Sequence, residues 1–194
     1  MKTVFFDVDT QIDFLYPAGA LYAPGAETIV ERVGGLNRYA ASHGIPVIST
    51  VDAHSEDDPE FKLWPHHCVV GTTGQQKPAA TLLEKRAVLP NDRCELPGKV
   101  DQVLLEKQML DCFTNRNLAG LLEKLQAERY VVYGVVAEIC VKYAAFGLLK
   151  TGKRVELVTD AVRSLDPRAA EEMLAAFSSQ GGVLTASTQV AAAG

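Results

Sequence analysis

The sequence predicts an α/β fold of three layers, α-β-α, around a largely parallel six-stranded sheet. Three observations lead there. Short, nearly continuous apolar runs alternate with amphipathic stretches along the whole 194 residues. Strands of that kind are buried on both faces by the helices between them. Apolar residues make up 47% of the chain and charged residues 22%, so a sizeable core can form. The length suits one domain, and no repeat, low-complexity tract or linker divides residues 1–194.

The elements follow in order. Residues 4–8 (Val-Phe-Phe-Asp-Val) read as a buried strand. Residues 26–43 read as a helix, with Ile29, Val33, Leu36 and Ala40 on one face and Gly44 as its stop. Residues 47–51 form the second strand. Residues 52–100 are polar, rich in Pro, Gly and His, and weakly periodic, which marks a functional segment. Within it, residues 87–89 are a candidate for a short extra strand. Residues 102–106 are the next strong strand. Residues 115–127 carry Leu118, Leu121, Leu122 and Leu125 on one helical face. Residues 130–135 give the clearest strand, followed by a helix over 139–150 that Gly152 stops. Residues 155–159 form a strand. Asp166-Pro167 starts a helix that runs to about residue 180, because an N-cap acid precedes Pro at the first helical position. Gly181 and Gly182 end it, and residues 183–185 close the sheet.

Composition excludes several classes. With 19 basic and 24 acidic residues the net charge is −5, and no basic tract offers a nucleic-acid surface. The apolar runs are strand-sized, short of the roughly 20 residues a bilayer span needs. Residues 1–7 turn acidic at Asp7, too early for a secretion signal, so a soluble cytoplasmic protein is expected. The 4 cysteines include no C-x-x-C pair, which removes zinc-ribbon and thioredoxin-like spacing and leaves reduced thiols. Val190 and the run from Ala191 to Ala193 either close the core or face a second copy of the chain, so a homo-oligomer stays open.

In a parallel α/β sheet the reactive residues gather at the carboxyl ends of the strands. Asp9 follows the first strand, Asp52 and His54 the second, and Lys107 ends the strand over 102–106. Cys140 follows the strand over 130–135 and opens a helix, where the dipole and a neighbouring Lys favour the thiolate. Asp160 reads as a loop and helix-cap residue, and His43 as a helix-end residue. Asp52 and His54, two apart on an extended segment, suit a divalent metal. A third ligand is His67 or His66, which spacing does not separate, and Glu60 is a candidate fourth or outer carboxylate. The acidic run Glu56-Asp57-Asp58 has no assignment.

These residues resemble a known family. Asp9-Thr10-Gln11-Ile12-Asp13-Phe14 is similar to the D-x-Q-x-D-F opening of the isochorismatase-like cysteine hydrolases. Residues 134–141, Gly-Val-Val-Ala-Glu-Ile-Cys-Val, resemble their nucleophile segment, and Lys107 with Phe113 and the step Asp160-Ala161 also match. Asp52-Ala53-His54 and Trp64-Pro65-His66-His67-Cys68 look like the nicotinamidase (pyrazinamidase) subgroup. The resemblance implies the isochorismatase-like hydrolase fold and Asp9, Lys107 and Cys140 as the catalytic set. It implies a divalent metal on Asp52, His54 and His67, with Glu60 where some members carry a carboxylate. Zinc comes first, with iron and manganese as alternatives, since O and N ligands do not decide among them. Phe14 and Trp64 would flank a pyridine ring. Backbone N–H groups of Val136 and Cys140 would form an oxyanion hole, beside a cis peptide bond preceding Ala137. The implied reaction is hydrolysis of nicotinamide to nicotinic acid and ammonia through a Cys thioester, a step of NAD salvage. The alternatives are another small amide, such as a carbamoyl or ureido compound, and a metal- or thiol-based regulator on a retired scaffold. The sequence departs from the pattern at Ala137, where Thr is common, and at Asp111 and Cys112, where Ser and Ala are frequent.

Overall fold

The computed structural model describes residues 1–192 and shows one sheet flanked by helices. Its strands are β1 (Thr3–Val8), β2 (Val47–Asp52), β3 (Arg86–Leu89), β4 (Gln102–Lys107), β5 (Arg129–Val135), β6 (Arg154–Arg163) and β7 (Val183–Thr185). They are ordered β3-β4-β2-β1-β5-β6-β7 and every pairing is parallel. The sheet therefore has seven strands where the sequence predicts six. The seventh is the candidate over 87–89, an edge strand that pairs only with β4 and needs no second apolar face.

The helices are α1 (Ile12–Leu15), α2 (Val30–Ser42), α3 (Leu118–Leu125), α4 (Lys142–Leu149), α5 (Pro167–Ser179) and α6 (Ser187–Ala192). The predicted punctuation of α2 and α5 is present. His43 closes α2 and Gly44 follows in the left-handed region, with φ 66°. Asp166 caps α5 by accepting from Arg168 N at 2.9 Å and Ala169 N at 3.3 Å, ahead of Pro167. The helices predicted over 26–43 and 115–127 begin later than their periodicity suggests. Residues Ala26–Ile29 form a 3-10 turn before α2, and Cys112–Thr114 one before α3.

Two apolar layers pack on the sheet. Phe6, Val8, Ile48, Leu105, Val132 and Leu157 face α3, α4 and α5 on one side. Phe5, Val47, Val131, Tyr133 and Val158 face α2 and α6 on the other. Val190 belongs to the second layer and is buried, so it closes the core; the side chains of Ala191 to Ala193 lie outside the described residues. No helix among the described residues is long and apolar enough to cross a membrane.

β1 sits between β2 and β5, so the chain leaves it toward opposite edges. A crevice at such a switch point, beyond the carboxyl ends of the strands, is the usual ligand position in α/β sheets.

Candidate active site

Each predicted reactive residue falls at that crevice, and the sheet register sets their contacts. Asp52 and Lys107 are paired positions at the ends of β2 and β4. Lys107 Nζ contacts Asp52 Oδ1, lies 2.9 Å from Asp9 Oδ2 and 3.8 Å from Cys140 Sγ. Asp9 follows β1 in the left-handed region, with φ 47°, uncommon for a residue with a Cβ. Thr50 holds it there: Asp9 N donates to Thr50 O at 3.1 Å, and Thr50 Oγ1 donates to Asp9 Oδ1 at 2.6 Å. Cys140 lies in a π turn, Ala137–Val141, that leads from β5 into α4. The turn closes on Val136 O, which accepts from Ile139 N and Val141 N, both at 3.1 Å.

The electrostatics differ from the sequence expectation in one respect. Cys140 was placed at a helix start beside a lysine, where its thiolate should be favoured. Burial outweighs this and pushes the thiol well above its ordinary value, although Lys107 pulls it down. Burial also raises Asp9, against the pull of Lys107. Asp52 goes the other way: Lys107 and His54 overcome its burial and hold its carboxyl below the usual range. Lys107 itself is buried, yet Asp52, Asp9 and Cys140 raise it.

The second cluster adjoins the first through Asp52. Ligand atoms of Asp52, His54 and His67 all lie within 4.8 Å of one another. The free oxygen Asp52 Oδ2 is 3.8 Å from both His54 Nε2 and His67 Nε2. A parallel bridge between His54 and Val69 brings the two histidines together, with His54 N donating to Cys68 O at 3.2 Å and Val70 N to His54 O at 2.9 Å. Each histidine has its other nitrogen engaged. His54 Nδ1 pairs with Asp58 Oδ2 at 3.0 Å, and His67 Nδ1 with Pro65 O at 2.7 Å. Both Nε2 atoms thus turn to the shared space. Among the described residues His54 Nε2 is buried without a hydrogen-bond partner, an orphan that a cation would satisfy. Two imidazoles and a carboxylate are a fitting donor set for a divalent ion. Burial lowers His54, but Asp52 and Asp58 more than restore it, up to about 9; burial lowers His67.

The two adjacent histidines are placed differently. His67 is buried in the cluster, while His66 is exposed and stacks on Phe61 at 4.2 Å. Glu60 does not join the cluster of ligand atoms. It rides on the 3-10 turn Pro59–Lys62, which Asp58 caps, and is left half-buried in the pocket wall, where desolvation and Asp52 raise it. Asp160 is not in a loop. It lies inside β6 and caps α6, accepting from Ser187 N at 2.8 Å and Ser187 Oγ at 2.7 Å. β6 outruns its predicted end because a register shift against β5 near Gly134 restarts the pairing at Val162. The cis peptide bond is Val135–Val136, one residue before the expected position. β5 ends at Val135 and the π turn opens at Ala137, so the junction falls at Val136.

The pocket over the two clusters takes its apolar lining from Phe14, Trp64, Leu110, Ile139 and Leu165, beside Cys140, Asp52 and His67. Phe14 packs against His67 at 5.4 Å between ring centres.

Several residues take roles that the sequence does not assign, Gln11 and Asp13 among them although both stand in the D-x-Q-x-D-F motif. Gln11 is fully buried and grips Asp52 from both sides: its Nε2 donates to Asp52 O at 2.8 Å and its Oε1 accepts from Asp52 N at 2.7 Å. Asp13 Oδ2 accepts from Cys68 N at 2.7 Å, fixing the segment that carries His67. Asp58 had a legible signal, an acid before Pro four residues after His54, but it was hidden in an acidic run. Asp111 and Cys112, noted as departures, take structural roles: Asp111 caps the 3-10 turn and Cys112 is buried in the core. Phe113 packs beside Cys112 and meets Gly147 closely, away from the pocket lining.

Comparison with known proteins identifies the family and relatives of the same fold. The isochorismatase domain model matches residues 3–189. The chain is 24% identical over 182 residues to a nicotinamidase of Escherichia coli (strain K12), covering 82% of this chain and 82% of that protein. The pyrazinamidase of Pyrococcus horikoshii, solved in complex with zinc, superposes with a TM-score of 0.80 at 28% identity, covering 96% and 99% of the two chains. An N-carbamoylsarcosine amidase of Thermoplasma acidophilum superposes with a TM-score of 0.77 at 25% identity, covering 96% and 97%.

Proposed function

The chain belongs to the isochorismatase family, and from that premise we propose that it is a metal-assisted cysteine amidohydrolase that converts nicotinamide to nicotinic acid and ammonia. One observation carries the reading. Cys140, held by the buried Asp9–Lys107 pair, lines an aromatic-walled pocket together with Asp52 and His67 of the Asp52–His54–His67 cluster. A nucleophile, its base and a cation site thus converge on one small cavity.

Cys140 is the nucleophile and Asp9 its base. Because burial keeps the thiol protonated, attack requires that its proton move to Asp9 as the sulfur–carbon bond forms. A raised carboxyl suits that task, since it accepts the proton and then gives it to the departing nitrogen as the carbon–nitrogen bond breaks. Ammonia leaves and the acyl group remains on Sγ. Asp9 next takes a proton from water, whose oxygen attacks the thioester, and returns it to the sulfur as the acid leaves. Lys107 stays charged throughout and offsets the negative charge on Asp9 and the sulfur. Backbone N–H groups of Val136, just before the π turn, and of Cys140, within it, are the donors assigned to the oxyanion; one such donor typically contributes about 2.7–4 kcal/mol.

Asp52, His54 and His67 would hold a divalent ion, zinc in the first place. Such an ion supplies a Lewis-acidic anchor for a heteroatom of the substrate. Phe14 and Trp64 offer flat apolar surfaces to a ring. A second reading, hydrolysis of a carbamoyl or ureido compound, draws on the likeness to the N-carbamoylsarcosine amidase. The aromatic lining and the cluster favour the heteroaromatic amide. Nicotinamide hydrolysis would place the chain in NAD salvage.

Ammonia release from metal-loaded protein across nicotinamide, pyrazinamide, a ureido acid and an aliphatic amide separates the readings. Nicotinamide or pyrazinamide should lead by at least about 100-fold in kcat/KM. Preference for the ureido acid would replace this reading with the second.

A further inference from the structure

A half-buried carboxylate on the nucleophile turn plays no part in the scheme above. Glu138 sits in the π turn two residues before Cys140. Its Oε1 accepts from two consecutive amides, Leu165 N at 2.9 Å and Asp166 N at 2.8 Å. Its Oε2 is buried with no hydrogen-bond partner among the described residues. The bonded amides belong to a segment with no ladder of its own, since β6 ends at Arg163 and α5 begins at Pro167. Within that segment Leu165 lines the pocket alongside Val136, Ile139 and Cys140, and Asp166 caps α5. One side chain on the nucleophile turn therefore fixes part of the facing wall. Hydrogen bonds to a charged acceptor are about twice as strong as neutral ones, and these two satisfy donors that would otherwise lack a partner.

We propose that Glu138 is a positioning residue: through Leu165 it sets the width of the acyl pocket beside Cys140 and so which amides are accepted. This rests on the amidohydrolase reading. The chemistry of the clasp also suggests its control. Since Oε2 makes no bond, the amide of a glutamine can keep both bonds through its own oxygen and lose only the charge.

The test compares Glu138→Ala, Glu138→Gln and Leu165→Ala in the metal-loaded protein. Hydrogen exchange at the amides of Leu165 and Asp166 is read beside kcat and KM for nicotinamide and for a bulkier ring-substituted analogue. In Glu138→Ala both amides should exchange at least about tenfold faster. KM for nicotinamide should rise about fivefold or more, with kcat within about threefold, and discrimination against the bulkier amide should fall. Glu138→Gln should restore protection and KM to near wild-type. Leu165→Ala should reproduce the selectivity change while Asp166 stays protected. The proposal is overturned if Glu138→Ala keeps wild-type protection, or if it lowers kcat at unchanged KM, which would put Glu138 in the reacting machinery. Should Glu138→Ala not fold, the Gln and Leu165 variants decide: unchanged selectivity in Leu165→Ala removes the proposal. Failure of the wild type to hydrolyse any amide would sink the functional reading and the selectivity role together, while lost amide protection in Glu138→Ala would still establish the clasp.

Discussion

Cys140 and Asp9 share a burial that raises both, and the sign of the shift on Asp9 has a kinetic consequence. Asp9 acts as a base only when ionised. Its ionised fraction, and with it kcat/KM, should fall as pH drops through a value above the ordinary carboxylate range of about 4. A pH profile of kcat/KM checks this; an acid limb at or below the ordinary range would contradict the role of Asp9. Asp58 offers a second test at this scale. Its bond to His54 Nδ1 fixes which nitrogen faces the cluster. Replacing Asp58 by Asn should weaken metal retention about 10–100-fold, measured by chelator competition. Asp9, Lys107 and Cys140 stood out because each lies at or shortly after the carboxyl end of a strand, and only the family resemblance gave them roles. Gln11 did not, because nothing in an isolated glutamine shows that it grips the backbone of a residue 41 positions away.

At the scale of elements, the strands announced themselves through apolar runs, while the ends of elements did not. β3 alternates exposed and buried residues and is too short to signal alone. α6 follows an Asp160 cap that comes from another strand, so no local start signal precedes it. β6 is tied to β5 by an ion pair that sequence separation also hides. Arg129 Nε and Nη2 donate to Glu156 Oε1 and Oε2 at 2.8 and 2.6 Å, at the adjoining starts of the two strands. The pair is buried, and although desolvation opposes it, Arg129 and Arg154 hold the Glu156 carboxyl below its usual value. A depressed value in the folded state stabilises above the unfolded value, and that stability is lost as pH falls through the folded one. Glu156→Gln should therefore lower stability by about 1–3 kcal/mol near pH 7. The deficit should shrink toward zero in strong acid, where urea unfolding of both proteins checks it.

Across the whole molecule, the site depends on distant segments meeting. Asp7 receives Asn37 Nδ2 and Ser49 Oγ at 3.0 Å and Thr10 Oγ1 at 2.7 Å, and pairs with Lys77 Nζ at 3.0 Å. This interior polar network joins β1, α2, β2 and the long segment after β2 directly behind the Asp9 turn. The polar stretch over 52–100 supplies part of this network, and nothing local marks Lys77, whose partner lies 70 positions earlier in the chain. The parallel architecture was legible because alternation is local. The meeting of His54 and His67 around Asp52 needed the family pattern or the fold. The central claim is that hydrolysis runs through a covalent intermediate on Cys140. Turnover of nicotinamide by metal-loaded Cys140→Ala, with folding and metal content matched to the wild type, tests it most directly. The account predicts a loss of more than about 10³-fold in kcat. Turnover near the wild-type rate would contradict it.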